Sequence, residues 1–230
     1  MSGGYNQLTG INTYGGATQV DAGTLEVALG GAINGNGGVN VASGATLIVK
    51  GVVNGSVSIS GSLEGTGSAT GNVAILAGGE ISPAGDSAVG ILSTGPLSLT
   101  AGGTYQLTLN TTGTLADKVM ATGSISLGTG VANLVGMDLF TQIMAQGTTL
   151  TILESTTGVS GYFTGLPQGS TFTIGANNFQ ISYLADSGRD VTLMAIPEPS
   201  GFLLIISGIA MMQMIRPRRN IRHTQSRRRY

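Results

Sequence analysis

The stretch "VASGATLIVKGVVNGSVSISGSLEG", residues 41–65, decides the fold. Within it, "GATLIVKG" and "GSVSISGSL" alternate apolar with small or polar residues. A period of two sends successive side chains to opposite faces of a strand, so Val, Ile and Leu line an interior while Ser, Thr and Lys meet water. The alternating segments are only a few residues long and are broken by Gly, which turns tight corners at positive φ because it lacks a Cβ. Short strands with a Gly corner every few residues suit a coil better than a hairpin.

The same form recurs on either side. "VDAGTLEV" (20–27), "VASGATLIV" (41–49), "ISGSLEG" (59–65), "ILAGGEI" (75–81) and "LTAGGTYQLTL" (99–109) each join two alternating segments through a small-residue turn. With Gly23, Gly44, Gly61, Gly78 and Gly102 as markers, the form returns about every 20 residues. That is the length of one solenoid coil, a unit that cannot bury its apolar face alone and must stack on its neighbours. "GNGG" (35–38) follows no clear strand and opens no helix, which argues for a turn over a phosphate-binding loop.

Composition agrees. Of 230 residues, 39 are Gly, 9% are charged and 41% are hydrophobic. Gly-rich, charge-poor segments make poor helices, and a chain this dense in Val, Ile and Leu is not compositionally disordered. The charge is split by position. Before Arg216 stand eleven acids and three bases, a formal charge of −8, whereas the stretch from Arg216 to Tyr230 holds seven Arg, one His and no acid. There is no Cys, which excludes disulfides, thiolate metal sites and a Cys nucleophile.

From about Thr112 the corners thin out. Residues 137–144 fit either one helical turn or a buried strand, and periodicity does not decide between them. Strands are expected at 149–154, 171–175, 178–185 and 190–195, with "TTGVSG", "GLPQGS", "GANN" and "DSGRD" as turns between them. This part reads as an antiparallel module capping the solenoid, because open edge strands recruit other chains.

Certain segments resemble a known family. "NTYGGATQVDAGTLEV" (12–27) resembles the autotransporter-associated β-strand repeat, with its Gly pair one place early. "GGEISPAGDSAVGILSTGPLSL" (78–99) is similar to the stretch that follows such repeats. "TTLTILESTTGVSGYFTGLPQGSTF" and "FQISYLADSGRDVTLMAIPEPS" are similar to the last module of chains that end in a PEP-CTERM sorting signal. The resemblance implies a non-catalytic exported protein, processed by an exosortase, a membrane cysteine peptidase. The body is then held at the cell surface or released to the extracellular matrix.

The tail supports an anchor independently. Residues 200–215 carry no formal charge, and as a helix they span roughly 24 Å, short of the usual hydrocarbon thickness. "FLLIISGIAMM" is apolar all round, and Arg216, Arg218, Arg219 and Arg222 follow at once, the basic flank expected on the cytoplasmic side. Pro197 and Pro199, with Glu198 between them, hold the preceding chain extended for a protease. Residues 1–16 show no basic n-region, apolar h-region or cleavage site, so further repeats and a signal peptide are expected upstream.

Chemistry is sparse. Polysaccharide lyases and hydrolases need carboxylates paired with each other or with a base, but the acids here are scattered, Asp21 and Glu26 being the only close pair early on. A Ser-His-Asp triad would have to use His223, beyond the apolar run. Asp186 and Asp190 bracket a turn that a Ca²⁺ ion or plain solvent would suit, with Arg189 inside it favouring solvent. No catalytic, metal-binding or cofactor-binding residue is assigned, and no cofactor is expected.

The expected fold is therefore all-β. Residues 1–111 form a right-handed parallel β-helix, or β-solenoid, and residues 112–195 an antiparallel cap. A Pro-Glu-Pro linker at 196–200, one short transmembrane helix at 200–215 and a basic cytoplasmic tail at 216–230 complete it. The expected role is structural or adhesive, with the membrane, the exosortase and exopolysaccharide as partners and no nucleic acid. The alternatives are an autotransporter passenger, which would need a C-terminal barrel of many amphipathic strands, and a polysaccharide-active β-helix enzyme.

Overall fold

The alternating segments of residues 41–65 stack on one another in parallel, and so do their counterparts before and after. The computed structural model of the chain describes residues 2–100 and 102–197. Each coil contributes one strand to each of three faces. The first coil supplies β1 (Ser2–Leu8), β2 (Ile11–Asn12) and β3 (Thr18–Val20), and the second β4 (Ala22–Val27), β5 (Ala32–Ile33) and β6 (Val39–Val41). The third supplies β7 (Ala45–Val49), β8 (Val52–Val53) and β9 (Val57–Ile59), and the fourth β10 (Ser62–Gly65), β11 (Ser68–Ala69) and β12 (Val73–Ile75). The fifth adds β13 (Glu80–Pro83), β14 (Ile91–Thr94) and β15 (Leu97–Ser98).

The sixth coil runs through β16 (Thr104–Asn110), a short hairpin partner β17 (Leu115–Ala116), β18 (Lys118–Ala121) and the start of β19 (Ser124–Asp138). This last strand is long enough to finish one coil and begin the next. Its start pairs with β15 on the third face and its end with β16 on the first. The seventh coil closes with β20 (Thr149–Ser155) and β21 (Gly158–Phe163). All strand pairs between successive coils are parallel, as a β-solenoid requires.

Register fixes the core. On the first face Leu25, Leu47, Leu63, Ile81 and Tyr105 fall in one line and are all fully buried. On the third, Val39, Val57, Val73, Leu97 and Ile125 do the same. A side chain such as Leu47, removed entirely from water, contributes roughly 1.5–3 kcal/mol, and the second to sixth coils each offer one to the first and third faces. Thr24 pairs with Thr46, Thr46 with Ser62, Ser62 with Glu80, Glu80 with Thr104, and Thr104 with Asn133. The step from each partner to the next stays close to the Gly-marker spacing until the last, from Thr104 to Asn133, which is the longest and lies beyond the Gly markers.

Two kinds of corner glycine emerge, not one. Gly44 has φ of 78° and open space around it, the left-handed turn that was expected. Gly51 does not have positive φ. It stacks on Gly31, and a Cβ there would collide with the carbonyl oxygens of Gly31 and Ala28 in the coil below. Backbones that approach this closely exclude any side chain. Beyond the corner, Asn54 Nδ2 donates to Asn34 Oδ1 at 2.5 Å, and Asn54 Oδ1 accepts from Thr70 Oγ1 at 2.9 Å, an exposed polar ladder across three coils.

The expected change at residue 112 is not a change of pairing. Parallel stacking continues to Phe163, and solenoid and cap form one compact unit. What changes is coil length: residues 84–90, 110–116 and 139–148 include excursions from the stack that dilute the corner pattern. Residues 137–144 are neither helix nor buried strand. Met137 and Asp138 end β19 and the rest is irregular. "TTGVSG" is not a turn either, because Gly158–Phe163 is a strand paired with β19.

The antiparallel cap is shorter than the expected 112–195 and is built from the strands after Phe163. β22 (Thr171–Ile174), β23 (Asn177–Ala185) and β24 (Asp190–Ile196) are antiparallel, and β24 joins the solenoid by pairing antiparallel with β20. Beneath it the interior turns aromatic. Tyr105, Phe163 and Tyr183 form a row with centroids 6.4 and 6.3 Å apart. Asn177, buried, accepts from Met144 N and donates to Gln142 O, both at 2.7 Å, and so ties the irregular 139–148 segment to the cap.

Candidate functional sites

The expected sorting motif begins where the cap ends. β24 stops at Ile196 and Pro197 is exposed beyond it. Glu198, Pro199, the apolar run and Arg216, Arg218, Arg219 and Arg222 lie outside the described residues. Among the described residues no helix is long and apolar enough to cross a membrane.

On the body, register brings together charges that are far apart in sequence. Glu26 does not pair with Asp21. Its carboxylate is held by Lys50 Nζ, one coil on, at 2.8 Å and by Gln7 Nε2, one coil back, at 2.9 Å. With Glu26 almost fully buried, these donors and Tyr5 hold its carboxyl down to about 2. The arrangement clips three coils together.

Asp117 is the acid that sequence reading missed. It is fully buried between β17 and β18. Its Oδ1 accepts from Gly90 N at 2.8 Å and its Oδ2 from Thr108 N at 2.9 Å. Burial pushes its carboxyl up to about 7, although the two backbone donors oppose the shift. The Tyr105 hydroxyl lies within hydrogen-bond reach of the carbonyls of Asp117 (3.0 Å) and Ile152 (3.1 Å), and burial raises it well above its ordinary value. The single available signal was a lone acid between Ala116 and Lys118, which resembles any turn.

The turn at residues 186–190 borders a cleft of about 290 Å³ lined by Ser93, Met120, Thr122, Glu154, Asp186 and Asp190. Glu154 and Asp190 face each other directly across the antiparallel β20–β24 pair. Glu154 is satisfied by Lys118 Nζ at 2.8 Å, and Asp186 by Arg189 Nη2 at 2.6 Å. Burial, then Glu154 and Asp186, raise the carboxyl of Asp190. With Arg189 on Asp186, the turn is an ion-paired hairpin. Among the described residues no group of three or more His, Cys, Asp or Glu is placed to hold a metal ion.

Compared with known proteins, the chain matches no family model and no curated protein. Fold and local chemistry therefore carry the functional reading.

Proposed function

We propose that this is a non-catalytic exported β-solenoid protein, wound right-handed as parallel crossovers generally are. In this reading a single C-terminal span anchors it in the inner membrane with its body in the periplasm. An exosortase-type peptidase then recognises Pro197-Glu198-Pro199 and processes the chain, and the body reaches the cell surface or the extracellular matrix, where it is structural or adhesive and meets exopolysaccharide. Arg216, Arg218, Arg219 and Arg222 set the topology of the span.

One observation carries the reading: in sequence the motif, the apolar run and the arginines follow directly on β24, the last strand among the described residues. Pro197 is exposed immediately after β24, so the start of the motif is open to a peptidase without unfolding the cap. The test is to fuse residues 195–230 to a neutral soluble reporter in a bacterium. The reporter should enter the membrane fraction and resist carbonate extraction. A reporter that stays soluble would remove both the anchor and the destination.

A second reading, a polysaccharide-active β-helix enzyme, draws on the Glu154–Asp190 pair in its cleft, since two facing carboxyls are the pair that glycoside hydrolysis uses, and burial raises that of Asp190. A panel of polysaccharides incubated with the protein and with Glu154→Gln separates the two. Glycan cleavage lost in the variant would favour the enzyme.

A further inference from the structure

The fifth coil leaves the first face at Pro83 and rejoins the second at Ile91, and the residues between, 84–90, lie against the outside of the first face. Ser82 alternates with the inward Ile81 and shares a row with Glu64, yet it is 1% exposed. Thr108 is fully buried and its hydroxyl donates to Gly85 O at 3.4 Å. A Cβ on Gly85 would lie 3.0 Å from Glu64 Oε2, so the segment rests on that carboxyl. Its two ends meet, because a Cβ on Gly90 would touch both Ala84 Cβ and Thr66 Cγ2. The result is a closed loop with its ends pinched together.

The loop is strained at one end and clamped at the other. Ala84 has φ of 61°, costly for a residue with a side chain. At the far end Gly90 N donates to Asp117 Oδ1, and Gly90 O accepts from Lys118 N at 2.9 Å. Asp86, Ser87 and Ala88, between the two ends, are exposed.

We propose that residues 84–90 are a strap clamped to the body by Asp117, and that protonation of Asp117 and Glu64 decides whether it stays closed. The charged groups facing it are Glu64 and Glu80 from the first face, Asp86 on the strap itself, Tyr105 from the interior, and Lys50 across the adjoining cleft. Lys50 is committed to Glu26, and Glu80 accepts from Ser62 Oγ at 2.8 Å, which leaves Glu64 without a cationic partner among the described residues. Burial pushes Asp117 to about 7, and burial with Asp86 and Glu80 raises Glu64. In acid the carboxyls beneath the strap are neutral and closure costs little. As pH rises towards about 7 the closed form must ionise the buried Asp117 and the half-buried Glu64, and opening hydrates them. Opening would uncover the Glu64–Ser82 row, including the Ser82 hydroxyl, which is buried without a hydrogen-bond partner.

Hydrogen exchange on the full-length chain in detergent, read amide by amide and corrected for intrinsic rates, tests this. Between about pH 5.5 and about pH 8.5, protection of the Gly85 and Gly90 amides should fall by roughly tenfold or more relative to Asn54, whose amide bonds Ile33 O away from the strap. Asp117→Asn should reduce that difference to the part that Glu64 carries. Should that variant not fold, Glu64→Gln, at a half-buried position, should reduce the loss of protection over the same pH range. Strap amides that track Asn54 at every pH in the wild-type chain overturn the proposal.

Discussion

At the scale of single residues, the two glycine environments make opposite demands. Gly51→Ala forces a methyl into the carbonyls of Gly31 and Ala28, and the cost should be about 3 kcal/mol in urea unfolding, the upper end for overpacking. Gly44→Ala meets open space and suffers only its positive φ, so about 1–2 kcal/mol is expected. Equal losses at the two sites would contradict this distinction. The buried carboxyls pull stability in opposite directions with pH. Glu26, held down to about 2 from an ordinary 4.5, contributes stability that is present above pH 4.5 and drains away as pH falls towards 2. Asp117, raised from 3.8 to about 7, does the reverse: the unfolded chain ionises first, so stability falls as pH rises from about 4 to 7 and is level above. Denaturant midpoints of Asp117→Asn should lose that decline, while Glu26→Gln should flatten the acid limb instead. Neither partner set was legible in sequence, because Glu26 meets Lys50 from the next coil and Asp117 meets Gly90 from the far end of an excursion. Coil register, not local spacing, brings them together.

At the scale of elements, strands with strict alternation were readable, and those where pairing overrides composition were not. Residues 45–49 and 57–59 show buried side chains at every second position, as their letters imply. The cap strands were legible for the same reason, since "FQISY" within β23 alternates between buried and half-buried. β21 was not, because "GVSGYF" looks like a turn and becomes a strand only through β19 beside it. The long β19 was obscured by Gly128, Gly130 and Gly136, which mark bends and a close approach of Ile174 rather than its end. Phe179 lies at the centre of the cap and is fully buried against Phe172, with ring centroids 6.4 Å apart. Phe179→Ala should therefore cost about 3–5 kcal/mol. A loss under about 1 kcal/mol would mean that the cap contributes little to holding the solenoid end.

At the scale of the whole molecule, stacked coils share one core, and the Tyr105–Phe163–Tyr183 row carries it into the cap. Nearest-neighbour interfaces of this kind couple folding along the stack. Tyrosine fluorescence of a variant with Tyr5, Tyr14 and Tyr230 replaced by Phe, which leaves Tyr105, Tyr162 and Tyr183 towards the cap end, and far-ultraviolet circular dichroism, which reports on all coils, should therefore give one coincident urea transition. Two separated transitions would show that cap and coils unfold independently. The solenoid was legible because its period repeats in the letters, whereas the end of the parallel stack at Phe163 was not, since excursions lengthen the later coils and mask the corners. The sorting motif was read from sequence order alone: Glu198, Pro199 and the arginines lie outside the described residues, and only Pro197 has a described position, exposed after the final strand. The most direct measurement is mass spectrometry of the mature C-terminus of the protein recovered from the surface or matrix of its native host. The account predicts a chain with the cap intact through Ile196 and residues 200–230 removed, and a mature chain that still carries residues 200–230 would contradict it.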